Sequence, residues 1–96
     1  MGKGGWIYIL TNRKNGAIYI GVTSDLRRRV GEHRDKQLPG FTKRYGCDRL
    51  VWSDHFDSIE DTIAAEKRMK KWNRAWKVRL IEESNPDWDD LSRFGL

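Results

Sequence analysis

Five side chains sit where burial alone would not put them. Tyr8 and Tyr19 each lie inside a short apolar, β-branched run, Trp6-Ile-Tyr-Ile-Leu10 and Ala17-Ile-Tyr-Ile-Gly-Val22. Alternate residues of a strand share a face, so Ile7 and Ile9 point together, as do Ile18, Ile20 and Val22. If both isoleucine sets face a core, the two phenols share the opposite side. His33 falls on the narrow apolar stripe of a helix, with Leu26 and Val30, and Arg29 lies alongside one turn earlier. Glu66 stands three residues after Ile63 and three before Met69, again on or near an apolar stripe. A carboxylate there is costly to bury unless it is paired, hydrogen-bonded or metal-bound. Polar groups that interrupt core stripes on two helices, opposite two tyrosines on one sheet face, read as one site.

Each residue also has a plainer reading. The tyrosines could form a cross-strand aromatic pair on a hairpin. A helical histidine is commonly a satisfied structural residue, and Glu66 could pair with Lys70 at i+4. Runs such as Arg27-Arg28-Arg29 ordinarily face solvent, and only Arg29 is set apart by position. Trp72 and Trp76, at i and i+4, read as core or helix–helix packing rather than as stacking platforms. His33 and His55 have no metal-ligand spacing.

The elements that must position these groups follow from local signals. Trp6–Leu10 and Ala17–Val22 read as strands, joined through Thr11–Gly16, whose Asn-Gly pair marks a turn. Thr23-Ser24-Asp25 offers N-caps for a helix over Leu26–Arg34. Pro39-Gly40 breaks the chain, and Phe41–Tyr45 reads as a basic-aromatic loop or short helical turn. Arg49–Ser53 reads as a third strand. Asp57-Ser58 can cap a helix through about Trp72, with Ile59, Ile63 and Met69 on its apolar side. A further helix from about Arg74 to Glu83 ends at Asn85-Pro86, after which Trp88 and Leu91 fold back onto the core. The order is β-β-α-β-α-α: an α+β fold with a small three-stranded antiparallel sheet flanked by helices.

The 96 residues suit one domain, with a core over about residues 6–91 and a short N-terminal tail. Five Trp, three Tyr and three Phe make a small aromatic core feasible in a chain only 38% hydrophobic. The formal net charge of +5 favours a polyanionic partner, because lysine and arginine release condensed counterions from phosphates. Cys47 is the only cysteine, which excludes an intramolecular disulfide and a Cys-based zinc site. No apolar run approaches the ~20 residues that span a bilayer, and the first residues lack the apolar stretch of a signal peptide, so the cytoplasm is expected.

The sequence as a whole resembles the GIY-YIG nuclease superfamily, in its short single-domain bacterial branch. Trp6-Ile7-Tyr8, a gap, and Tyr19-Ile20-Gly21 are similar to the two-part signature that names the family. Thr23-Ser-Asp-Leu-Arg-Arg-Arg29 followed by His33 matches its next helix, and Glu66 falls at its metal-binding glutamate. Gly40-Phe-Thr-Lys-Arg-Tyr45, Glu66-Lys-Arg-Met-Lys-Lys-Trp72 and Asn85-Pro-Asp-Trp88 are similar to segments of the short branch. The resemblance runs from about Trp6 to Leu91. One departure is visible, since Trp6 stands where the first motif usually carries glycine.

The resemblance implies a division of labour. Glu66 would hold one hard divalent cation, Mg²⁺ or Mn²⁺, with water and substrate oxygens completing its shell. Arg29 would bind the scissile phosphate and stabilise developing charge. Tyr8 or Tyr19 would accept a proton from the attacking water, the other positioning water or phosphate. His33 would shuttle a proton or contact phosphate. Asn85 corresponds to a late asparagine of some members, although Asn-Pro reads equally as a helix stop. Arg27, Lys43, Arg44, Tyr45 and Lys70 are candidate nucleic-acid contacts, with Lys67, Lys71, Arg74 and Lys77 nearby.

The expected function is a divalent-metal-dependent endonuclease acting on DNA rather than RNA. With no added recognition domain it would have low sequence specificity, and a structure-selective role in DNA repair or recombination fits. Two rivals stand beside it. One is a nucleic-acid-binding module with little turnover. The other is an accessory protein docking onto a larger repair assembly, favoured if exposed Trp52, Trp76 or Trp88 form one patch.

Overall fold

The computed structural model describes residues 4–36 and 40–94. Strand β1 (Gly5–Thr11) runs antiparallel to β2 (Ile18–Thr23) and to β3 (Arg49–Phe56), giving the sheet order β2-β1-β3. The first two strands form the expected hairpin. In its turn, Asn15 takes a left-handed backbone, φ 60°, which asparagine tolerates, and Asn12 Oδ1 accepts from the Ala17 amide at 2.9 Å.

β3 extends three residues past the expected Ser53. The far end of β1 needs partners, and Gly5, Trp6 and Ile7 find them in Phe56, His55 and Asp54. The polar Asp54-His55 pair hid that extension, because this stretch lies on an edge strand. A register shift between Ile9 and Leu10 leaves Val51 as an extra residue in β3. Val51 and Trp52, neighbours in sequence, consequently pack toward the same cluster.

Helix α1 (Leu26–Arg34) follows with Asp25 as N-cap, its carboxylate accepting from the Arg28 amide at 3.1 Å. The chain break expected at Pro39-Gly40 lies partly outside the described residues. Gly40 itself has φ 101°, and a short helix α2 (Phe41–Tyr45) ends at Gly46 with φ 66°. Thus the expected loop or turn is one helical turn inserted before β3. Helix α3 (Ile59–Lys71) starts on Ser58, and α4 (Arg74–Ser84) on Asn73. A final 3-10 turn spans Leu91–Phe94.

The period-2 reading sorts the sheet correctly. Ile7, Ile9 and Ile20 pack with Val51, with Ala65 and Met69 of α3, with Ile81 of α4 and with Trp88. Tyr8 and Leu10 face the other way, onto Leu26 and Val30 of α1 with Cys47 and Leu50. Trp88 folds back as expected and is fully buried, while Leu91 packs on the tyrosine side.

Two packing expectations are overturned. The buried face of α3 is Thr62, Ala65 and Met69, whereas Ile59 and Ile63 stay 37% and 38% exposed. Thr62 can enter because its hydroxyl donates to the Ser58 carbonyl at 2.8 Å, satisfying its polar atom within the helix. Gly5 opens the space: a Cβ there would come within 2.6 Å of Ile59 Cδ1 and 2.8 Å of Thr62 Oγ1. Trp76 is 54% exposed and meets Trp72 edge-on at 6.1 Å, so of this pair only Trp72 packs against the core.

Candidate active site

The tyrosine face converges on one buried chain of polar atoms. Register pairs Tyr8 with Gly21 and Leu10 with Tyr19, so the two phenols are diagonal neighbours, their ring centroids 6.2 Å apart. Gly21 is what lets them meet. A Cβ at that position would lie 2.5 Å from the Tyr8 hydroxyl and 2.9 Å from Tyr19 Cε2. The glycine after Tyr19-Ile20 is therefore dictated by the room the phenols need. Trp6, on the same face of β1, packs beside this cluster and meets the His55 ring edge-on at 4.9 Å.

His33 comes to the phenols because α1 lays Leu26, Val30 and His33 on its buried stripe. Its Nε2 is 3.0 Å from the Tyr8 hydroxyl, and its Nδ1 is 2.9 Å from Thr42 Oγ1 on α2. Its ring also lies 5.5 Å from that of Tyr19. Arg29, one turn earlier, is partly buried at the rim. Its Nε lies 3.2 Å from Glu32 Oε1, out of line for a hydrogen bond, and has no hydrogen-bond partner among the described residues. Glu32 is shared, since it also meets Arg28 at 3.3 Å.

Burial sets the protonation of this chain. Burial, reinforced by the Tyr19 phenol, pushes Tyr8 well above the ordinary phenol range, and the Arg29 guanidinium pulls back without prevailing. His33 is held below 6.5, first by burial and then by the Arg29 charge, with Glu32 opposing. At neutral pH the pair is thus a neutral phenol against a neutral imidazole. Tyr8 is 0% exposed, while Tyr19 is only half-buried.

Tyr8, Tyr19, Arg29 and His33 are thus brought together. Glu66 stands on α3, the helix that covers the isoleucine side, with its side chain 14% exposed and its Oε2 3.1 Å from Lys70 Nζ. Among the described residues, no three His, Cys, Asp or Glu side chains gather closely enough to hold a metal. A lone carboxylate suits only a hard cation whose remaining ligands are water and substrate oxygens, and Glu66 fits that donor set.

The other candidates scatter. Lys43, Arg44 and Tyr45 line an open groove on α2 with Phe41. Phe41 stacks on Tyr19 at 6.2 Å and meets Tyr45 at 4.6 Å, and the Arg44 guanidinium lies 5.5 Å from the Tyr45 ring centre. Arg27 is exposed on α1, and Lys70 is held by Glu66. Asn85 is buried at the end of α4. Its Nδ2 donates to the carbonyls of Val51 and Asp89, and its Oδ1 accepts from the Asp89 amide. It serves as a structural clasp, with none of the four converging residues among its partners.

Three contacting residues, Glu32, Thr42 and Phe41, lie outside the candidate set drawn from the sequence. Glu32 was legible, lying four residues after Arg28 and three after Arg29. Thr42 and Phe41 were not, because their partners His33 and Tyr19 lie on other elements.

Residues 4–79 match the GIY-YIG catalytic domain family. A UPF0213 protein of Streptococcus pneumoniae is 33% identical over 89 residues, covering 93% of this chain and 88% of the relative. UPF0213 protein SSP2268 of Staphylococcus saprophyticus is 31% identical over 78 residues, covering 81% and 94%. Among solved structures, the solution NMR structure of UPF0213 protein BH0048 from Bacillus halodurans superposes with a TM-score of 0.57 at 27% identity, covering 96% of this chain and 97% of that one. GIY-YIG proteins are a nuclease family that acts on nucleic acid and generally uses divalent metal ions. With the family's domain matched over most of its length, this chain belongs to the GIY-YIG family.

Proposed function

We propose that the chain is a divalent-metal-dependent endonuclease that hydrolyses phosphodiester bonds in DNA with low sequence specificity. It would act in the cytoplasm on structured substrates of repair or recombination. The observation that carries this reading is the buried Tyr8–His33 contact at 3.0 Å, with both groups neutral and Arg29 beside them.

Hydrolysis needs a proton acceptor for the attacking water and positive charge at the phosphoryl oxygens. A neutral His33 supplies the acceptor through the ring nitrogen that carries its lone pair, reached by way of the Tyr8 hydroxyl. The half-buried Tyr19 is the phenol that meets water at the open side. Tyr8, sealed between Tyr19 and His33, passes the proton inward rather than holding a phenolate. The two tyrosines thereby take different tasks: Tyr19 orients water, and Tyr8 relays. Arg29, its side chain 32% exposed at the rim, takes the phosphate through the outer part of its guanidinium. A Mg²⁺ or Mn²⁺ ion held by Glu66 and substrate oxygens would supply Lewis-acid stabilisation. Arg27, Lys43, Arg44, Tyr45 and Lys70 would contact the nucleic acid, the three α2 residues reaching out from beside Tyr19.

The test is cleavage of supercoiled plasmid and of branched, flapped and single-stranded oligonucleotides with Mg²⁺, Mn²⁺ or EDTA. Metal-dependent nicking should be lost in both Glu66→Ala and Arg29→Ala. Salt-dependent binding without cleavage under any metal would favour the binding-module reading. The sealed Tyr8 and the Glu66–Lys70 pair speak for that second reading. For the accessory-docking reading, Trp88 is fully buried, which leaves Trp76, 54% exposed, and the half-buried Trp52 as the tryptophans a docking patch would use.

A further inference from the structure

The geometry points to Thr42 as a positioning residue that fixes His33 as the tautomer with its hydrogen on Nδ1, leaving the Nε2 lone pair facing the Tyr8 hydroxyl. The catalytic consequence rests on the proposed nuclease reading, whereas the tautomer itself does not.

Thr42 is the one buried residue of α2, its neighbours Phe41, Lys43, Arg44 and Tyr45 being turned outward. The short helix thus presents one buried hydroxyl, and that hydroxyl faces the histidine. Its backbone is fixed at both ends: the Arg44 amide donates to the Gly40 carbonyl at 3.0 Å, and the Cys47 amide donates to the Thr42 carbonyl at 2.9 Å. Threonine is also stiff about χ1, so its hydroxyl does not wander.

A neutral imidazole carries one N–H and one lone pair, yet both ring nitrogens of His33 face hydroxyls. Either hydroxyl can donate or accept, so the contacts alone allow two arrangements. The charged and titratable groups around the ring break the tie. From β1 and β2 come Tyr8 and Tyr19, from α1 come Arg29 and Glu32, and from α2 comes only the neutral Thr42 among buried groups. The Arg29 cation draws the lone pairs of the Tyr8 oxygen, so the phenol proton turns away from it and toward Nε2. The ring hydrogen must then sit on Nδ1, where Thr42 Oγ1 accepts it.

The test reads the ring nitrogens of ¹⁵N-labelled full-length protein by long-range proton–nitrogen correlation at neutral pH, with exposed His55 as an internal reference. Wild type should show a protonated Nδ1 and a bare Nε2 for His33. Thr42→Val should lose that pattern and Thr42→Ser should keep it. Hydrogen on Nε2 in the wild type, or an unchanged pattern in Thr42→Val, would overturn the assignment. If Thr42→Val does not fold, the wild type and Thr42→Ser still decide. In cleavage assays Thr42→Val should lower kcat by on the order of 10- to 100-fold at unchanged KM, with rescue by serine, because a misset tautomer removes the proton acceptor. Should wild type show the expected tautomer and yet cut nothing, the nuclease reading fails while the Thr42 assignment stands. Cleavage by a wild type carrying its hydrogen on Nε2 would overturn the Thr42 assignment and leave the nuclease reading standing.

Discussion

The two faces of one three-stranded sheet are built on opposite principles. One buries Ile7, Ile9 and Ile20 with the apolar residues of α3 and α4, and the Thr62 hydroxyl on that side is bonded within its own helix. The other buries Tyr8 beside His33 and Thr42, so a line of hydroxyls and an imidazole runs through an otherwise apolar cluster. The first face contributes stability through area removed from water. The second gives part of that up, since each of its polar groups must be satisfied or left at a cost of about 1–3 kcal/mol. The strands are therefore held from behind. The isoleucine side fixes β1 and β2, and that lets the tyrosine side carry a constrained polar chain.

This contrast can be broken from either side. The largest expected effect on stability comes from the apolar face: Ile9→Ala should lower unfolding free energy by about 2–5 kcal/mol in urea melts, with cleavage per folded molecule largely kept. Loss of cleavage in proportion to the folded fraction alone would agree with this, whereas a far steeper loss would show the faces are not separable. Gly21→Ala should come next, at about 1–3 kcal/mol, because its methyl would be driven into the Tyr8 hydroxyl. It should also disturb the Tyr8–His33 contact, visible as a shifted His33 signal. Alanine tolerated there without either change would mean that the phenols have more room than their positions indicate.

The smallest effect is a pH dependence confined to the polar face. His33 titrates below its ordinary value of 6.5 when folded, so between the two values the unfolded chain binds more protons. Its contribution to stability is fully present above about pH 6.5 and is lost as pH falls through the lower folded value. Urea melts from pH 7.5 downward should show this decline, and His33→Gln should flatten it. An equal slope in both proteins would place the dependence elsewhere.

Much of this was legible in the residues. The isoleucine alternation gave both sheet faces, and the Asp25 cap with the Leu26, Val30, His33 spacing gave α1 and its inward histidine. The tyrosine–histidine meeting followed from those two patterns together. Hydrophobicity misled at α3, where Thr62 is buried and Ile59 exposed, because a hydroxyl bonded within its own helix behaves as apolar surface and a scale cannot see that bond. It misled again at Trp76, whose partner face is solvent. Thr42 was illegible for a different reason. Its partner lies nine residues away on another helix, and no spacing rule links the two. Glu66 was legible as an anomaly on its helix, but its pairing with Lys70 shows the plainer reading operating at the same residue.

The most direct test of the claim that the polar face is the reactive one is single-turnover cleavage of a DNA substrate by His33→Gln and by Ile9→Val, each beside its own urea melt. The account predicts that His33→Gln loses cleavage per folded molecule by on the order of 10²- to 10⁴-fold, whatever its melt shows, and that Ile9→Val keeps cleavage per folded molecule while losing about 0.5–1.5 kcal/mol of stability. Wild-type cleavage by His33→Gln at full folded population would contradict it.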